Sequence, residues 1–292
     1  MKSLIRWGAA LSLVGGILFS PLSIMGNTRV LALTNEQVVE RLNTVPVFTF
    51  LDSERNFLVT RPTQGGENAL PVVYMFVSQE SAQAALNDLK QSNPEQANGF
   101  QVTPVPLSLA YQMARRDENQ ENPVQVAFIA AQAQVNAART LLQQSGQNAE
   151  QFQGVPLFIP RSTEQEGVYL TVRRDEQEVI PIYFSQEDAQ AMIEQVSRSQ
   201  PELANKVGIQ VISLEGLIQN LQNSDNEALN QIYLFPSQET RNFIRTLQQQ
   251  AQPGQQPAQG QPNRQQSQNR QPRPNPAPQN NQQPNPQAAP RQ

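Results

Sequence analysis

Residues 78–98 read SQESAQAALNDLKQSNPEQAN, and residues 185–205, at a constant offset of 107, read SQEDAQAMIEQVSRSQPELAN. Eleven of these 21 aligned positions are identical. Each stretch follows an apolar, strand-like run, PVVYMFV (71–77) and IPIYF (180–184), and a third Ser-Gln-Glu at 237–239 follows IYLFP (232–236). Behind each triplet the apolar residues recur at helical steps: Ala82, Ala85, Leu86 and Leu89; Ala189, Met192, Ile193 and Val196; Thr240, Phe243, Ile244 and Leu247. That i, i+3, i+4, i+7 stripe belongs to a helix laid on a sheet. The serine hydroxyl can accept an orphan amide of the first turn, and the glutamate lies near the positive end of the helix dipole. A fourth unit, VAFIAAQ (126–132), keeps the strand and the stripe but replaces the triplet with Ala131-Gln132-Ala133. A helix cap tolerates such a loss and a catalytic motif does not, so the triplet starts helices.

The match extends in both directions. VPVF (45–48) pairs with VPLF (155–158), FLVT (57–60) with YLTV (169–172), and FQVTPVPLSLA (100–110) parallels VGIQVISLEGL (207–217). Each copy reads β-β-β-α-β-α-β-α, with middle helices over Leu107–Met113 and Leu214–Leu221 and a leading helix over Thr34–Thr44. The expected fold class is α+β: two tandem, pseudo-twofold-related repeats, each a mixed sheet with helices packed on one face. Pro71, Pro104, Pro106, Pro123 and Pro181 are placed at strand margins, where a missing amide donor is tolerated. The uncovered sheet faces are expected either to pack together or to leave an apolar groove.

Both ends of the chain fall outside this pattern. Residues 1–32 carry Lys2 and Arg6 ahead of an apolar stretch, then Val30-Leu31-Ala32, the outline of a Sec-type signal peptide cut before Leu33. The run from Trp7 to Phe19 is shorter than the roughly 20 residues of a membrane span; an uncleaved anchor is the alternative. Residues 252–292 are almost wholly Gln, Pro, Asn, Ala, Gly and Arg, with no Val, Ile, Leu or aromatic residue. Such a segment cannot offset its ordering entropy and reads as a disordered tail, either a passive solubiliser or a weak basic tether. The expected organisation is therefore 1–32 signal peptide, 33–146 first repeat, 147–154 connector, 155–251 second repeat and 252–292 tail.

Composition narrows the chemistry. The 292 residues include no His and no Cys, so zinc sites, disulfides and His-dependent nucleophile arrangements are excluded. Residues 33–251 hold 14 Lys and Arg against 25 Asp and Glu, a net charge of −11, which argues against nucleic acid as a partner. Asp52 with Glu54, and Glu164 with Glu166, are the acid pairs a wall-polymer hydrolase would need, but they fall in turns after the first strand of each copy. The two RRDE stretches, 115–118 and 173–176, lie out of register with the repeat and read as solvated loop charges. TQGGEN (63–68) is a loop without the Gly-Lys-Ser/Thr of a phosphate loop. No catalytic residue, metal site or cofactor is expected. The candidate binding residues are apolar groove aromatics: Phe48, Phe50, Phe57, Phe158 and Tyr169.

The exported leader, the pair VPVFTF and VPLFIP, the segments PVVYMFVSQESAQAAL and VIPIYFSQEDAQAMI, and the duplication together resemble one family across about residues 34–250. It is the twenty-two-kilodalton component of the chloroplast inner-envelope translocon, with its cyanobacterial relatives. The resemblance implies two related halves with apolar pockets, in the intermembrane space or in the cyanobacterial periplasm and thylakoid lumen. It implies escort of unfolded or precursor outer-membrane proteins in transit, support of outer-membrane biogenesis through the POTRA repeats of barrel-assembly proteins, and at most peripheral membrane association. The tail lies outside the family pattern. Two other readings stand beside a chaperone or adaptor: a structural subunit of an envelope assembly, and a carboxylate-dependent hydrolase.

Overall fold

The computed structural model describes residues 18–19, 33–62, 69–116, 124–224 and 226–250. Nearly all of the leader, the tail, the TQGGEN loop, Pro123 and the acidic half of the first RRDE lie outside the described residues.

The first sheet holds β2 (Pro46–Leu51), β3 (Val72–Phe76), β4 (Gln101–Pro106) and β5 (Gln125–Ile129) in the order β4-β2-β3-β5. The second holds β6 (Pro156–Ser162), β7 (Leu170–Arg174), β8 (Gln177–Tyr183), β9 (Val207–Ser213) and β10 (Ile232–Phe235), with a two-residue β1 (Leu18–Phe19) beside β7. Their registers coincide. Phe48 opposes Phe76 and Pro104 as Phe158 opposes Tyr183 and Val211. The parallel pairs Phe76 with Ile129 and Tyr183 with Phe235 also correspond. Even the bridge from Leu51 to Phe57 has its counterpart between Arg161 and Tyr169. The four strands common to the two sheets thus share one order and one register, while β7 and β1 extend only the second: the strand expected at 57–60 of the first half forms no more than bridges at Phe57 and Thr60.

The helices start where the serines stand. Ser78 caps α2 (Gln79–Ser92), its hydroxyl accepting from the Ser81 amide, and Ser185 caps α6 (Gln186–Ser199), accepting from Asp188. Ser213 caps α7 (Leu214–Asn223), and the Ser237 hydroxyl accepts from the Thr240 amide in α8 (Gln238–Gln250). Ala131, which opens α5 (Gln132–Gln144), has no side-chain cap. The leading helix α1 (Asn35–Asn43) has a full capping box between Thr34 and Gln37, and α3 (Pro94–Ala97) and α4 (Leu107–Arg116) complete the set.

Strand alternation sorts the side chains onto two faces of each sheet. Val47, Val73 and Met75 of the first sheet and Leu157, Ile159, Ile180 and Ile182 of the second join one central core with Val38 and Leu42 of α1, Leu107 of α4 and Leu217 of α7. The two uncovered faces therefore share a core. Arg41 ties α1 to the second half, donating to the carbonyls of Ile232 (3.2 Å) and Asn230 (2.8 Å).

The opposite faces are covered by helices, but the last helix of each half is exchanged. α5 follows the first sheet in sequence, yet its Ala138 is buried with Phe158, Leu170 and Tyr183 of the second. α8 follows the second sheet, yet its Phe243 packs with Phe48, Phe50 and Phe76 of the first. Each sheet carries the first helix of its own repeat, α2 or α6, together with the final helix of the other half.

Two local expectations change. Pro181 lies inside β8, and Pro104 inside the edge strand β4, rather than at their margins. The Ile180 amide donates to Gln231 on the β10 side, so the nitrogen of residue 181 faces the other edge, where β7 has left at Val179 and β6 joins at Tyr183. There a missing donor breaks no ladder. The RRDE arginines are not loop charges: Arg115 lies in the last turn of α4 with its guanidinium 5.8 Å from the Tyr111 ring, and Arg174 of β7 lies 3.9 Å over Tyr233. Asp175 and Glu176 both have positive φ, the two-residue turn that suits the twist of a β7–β8 hairpin.

Candidate functional site

Phe48 and Phe158 are fully buried at equivalent positions, each beneath a pair of helices, and Phe50 is buried against Phe76 with ring centroids 5.3 Å apart. These three are core side chains in this structure and do not line an open groove. Phe57 and Tyr169, also equivalent, are half-buried at the border of the central core. The five expected aromatics are thus divided among three apolar clusters. Alternation explains it: Phe48, Phe50 and Phe76 point to the helix-covered face of the first sheet, where α2 and α8 meet them.

The cover differs in quality between the sheets. On the second sheet, α5 buries Ala138 and lays Ala137 and Leu141 along the cluster, and its Leu142 is buried as well. On the first, the only buried residue of α8 is Thr240, and Phe243, Ile244 and Leu247 are half-buried. Phe243 meets Phe48 edge-on at 5.4 Å and 70°. At the α5-equivalent positions, α8 puts Phe243 for Ala137, Ile244 for Ala138 and Gln248 for Leu142, so its larger apolar side chains sit on the sheet without being buried by it. Full burial of a Leu or Phe contributes about 1.5–3 kcal/mol, and α8 has no apolar side chain buried to that degree.

Polar contacts hold the start of α8. Glu239 accepts from the Ser78 hydroxyl (3.1 Å) and from the Glu80 amide (3.0 Å), capping α2 from another helix. Asp188 accepts from the Gln238 amide (3.0 Å) and pairs with Arg241 at 3.4 Å, while Arg241 also donates to the Pro236 carbonyl. The Thr240 hydroxyl reaches the Val77 carbonyl. On the other side, Gln134 of α5 accepts from the Gln186 amide and donates to Glu187. Partial burial opposes ionisation of Glu187, but hydrogen bonds from Gln134, its own amide and Ser185 outweigh it and leave the carboxyl below the ordinary glutamate range. Four helix N-termini, of α2, α5, α6 and α8, are thereby linked by carboxylates and one glutamine, which suits their dipoles.

A concavity of about 610 Å³ lies between α1 and α4, walled by Glu36, Val39, Glu40, Tyr111, Gln112 and Arg115. The Tyr111 hydroxyl accepts from Gln222 (2.9 Å) and Arg115 (3.2 Å) and donates to Asn35 (3.2 Å). This network joins α4 to α7 and α1 and gives the groove polar walls.

The acid pairs have structural roles. Asp52 accepts from the Asn56 side chain and the amides of Asn56 and Glu54; the Asn56 bond comes first among the causes that hold its pKa below the usual aspartate range. Glu164 pairs with Lys206 at 3.3 Å, and its amide donates to Ser162. Among the described residues no three His, Cys, Asp or Glu side chains are grouped to hold a metal, and no helix is long and apolar enough to cross a membrane.

The model of the Tic22-like family matches residues 2–246. The chain belongs to the Tic22-like family. It is 26% identical to a chloroplastic TIC 22-like protein of Arabidopsis thaliana over 208 residues, 70% of this chain and 61% of the relative. With the chloroplastic TIC 22 of Pisum sativum it shares 24% identity over 196 residues, 67% of this chain and 70% of the relative. The chain thus spans about three fifths of the Arabidopsis protein's length. Among solved structures it is similar to Anabaena Tic22, described as a protein-transport protein, with a TM-score of 0.64 and 31% identity over 73% of this chain and 97% of that one. Tic22 from Plasmodium falciparum shares the fold, with a TM-score of 0.57, 21% identity, and coverage of 74% and 99%.

Proposed function

We propose that this Tic22-like protein is a protein-transport factor that works as a soluble periplasmic chaperone or adaptor. It binds unfolded or precursor outer-membrane proteins in transit, and it docks on the POTRA repeats of barrel-assembly proteins. Family membership and the likeness to a protein-transport structure support the transport class. The leader supports export, to the periplasm or thylakoid lumen. The observation that carries the binding role is the aromatic face of the first sheet, covered by a helix with a single ring on it. An acidic body keeps such a protein soluble while apolar surface is transiently available.

The only Trp is Trp7, so the chain from Leu33 onward has none. A Trp-containing unfolded outer-membrane protein, diluted from urea, therefore reports its own state. Added chain 33–292 is expected to suppress light scattering saturably and to shift the client's emission to the blue. Unchanged scattering and emission sink the chaperone reading, and titration against isolated POTRA repeats then tests docking alone.

A further inference from the structure

We infer that α8 is a displaceable cover, and that the face of the first sheet beneath it takes a basic, amphipathic helical segment of a client with an aromatic anchor. The inference deepens the chaperone reading and rests on it for the identity of the client.

Three observations carry it. First, α8 is weakly seated compared with α5, its counterpart: no apolar residue of α8 is buried, whereas α5 buries Ala138 and Leu142. Second, what lies under α8 is aromatic and apolar, namely Phe48, Phe50, Phe76 and Leu86, so its removal uncovers a surface that demands a replacement. Third, the first turn of α8 is tied to the rest of the fold by polar side chains, Glu239, Thr240 and Arg241, rather than by buried apolar ones. A helix hinged at Pro236–Ser237 can swing away without breaking a strand. α5 lies between two strands, β5 before it and β6 after it.

The occupant is defined by what sits there now. α8 is itself amphipathic and carries Arg241 and Arg245 on a body of net −11, with Phe243 as anchor. An incoming helix of that pattern meets the same edge-to-face partner and the same charge complementarity, the helix-in-groove mode of recognition.

The test is competition in trans. A fluorescein-labelled peptide of residues 237–250, SQETRNFIRTLQQQ, is titrated with the chain 33–292 and with its Glu239→Ala/Phe243→Ala variant. The variant weakens the internal helix, so the peptide is expected to bind it roughly tenfold tighter than wild type, and a peptide carrying Phe243→Ala is expected to bind neither. Equal binding to both chains, or none, overturns the inference. Amide exchange of the wild type guards against a variant that fails to fold: α8 is expected to exchange faster than α5, and faster still with unfolded outer-membrane protein present. Equal exchange in α8 and α5 overturns the cover. If client aggregation is suppressed while α8 exchange stays constant, the chaperone reading survives and the cover falls. If aggregation is not suppressed but the variant captures the peptide, the cover stands and the chaperone reading fails.

Discussion

The two halves share strand order, register and helix starts, yet they finish their helical layers differently. α5 is a buried component of the second sheet's core, and α8 is a polar helix with one ring on the first. Divergence after duplication has thus spared the four common strands and acted on the edge beside β8 and on the last helix. A sheet's register is over-determined, since a one-residue slip turns every apolar side chain to the wrong face. A surface helix tolerates a Leu-to-Gln change at its end with little more than lost burial.

Truncations in the shared core test the symmetric part of this comparison and give the largest effects. Phe48→Ala and Phe158→Ala are each expected to cost about 3–5 kcal/mol in urea unfolding, because both rings are fully buried. A large inequality between them would break the equivalence of the halves. The exchanged helices come next. Leu142→Ala on α5 is expected to cost about 2–4 kcal/mol, and Phe243→Ala on α8 only about 1–2 kcal/mol although the ring is larger, since it is half-buried. The reverse order would make α8 a structural helix like its counterpart.

Capping sharpens the comparison further. Ala131 has extended backbone at φ −65° and ψ 129° but no side-chain bond to the first turn of α5. Ala131→Ser restores the cap that Ser78 and Ser185 supply, and it is expected to raise stability by about 0.5–1 kcal/mol, read as a shift in the urea midpoint. The smallest effect is electrostatic. Burial raises the Glu215 carboxyl pKa, against hydrogen bonds from its own amide and that of Val155. The folded state then holds this proton more tightly than the unfolded chain, so the group's stabilisation is present in acid and is lost as pH rises through its folded value. Glu215→Gln is expected to flatten that decline above the ordinary glutamate range of about 4.3, followed as melting temperature against pH. The first half has Ser108 at the matching position, hydrogen-bonded to Asn43, and Ser108→Ala should leave the pH dependence unchanged.

The elements themselves were legible because they are written locally. The 107-residue offset, the serine caps and the period-3.6 stripes each need only a window of a dozen residues. The helix exchange was not legible, because the stripes of α5 and α8 fit either sheet and only the packed core decides between them. The cover over the groove residues was not legible for a related reason. Phe48, Phe50 and Phe158 announce an apolar face, but not whether a helix covers it. A better signal lay in the pairing of α5 with α8: Leu141-Leu142 against Leu247-Gln248, with Arg241 on α8 where α5 has Val135. Its latch, Glu239 on Ser78 and Asp188 on Arg241, joins residues 161 and 53 positions apart, beyond any local pattern.

The exchange also sets a timetable. A chain made on the ribosome or threaded through a membrane emerges from its N-terminus. The second sheet finds its α5 already present when its strands arrive, and it can close at once. The first sheet is complete by Ile129, yet its aromatic face waits for residues 238–250, the last described stretch to appear. For that interval the protein is itself an unfinished polypeptide with bare apolar surface, in the same position as the clients proposed for it.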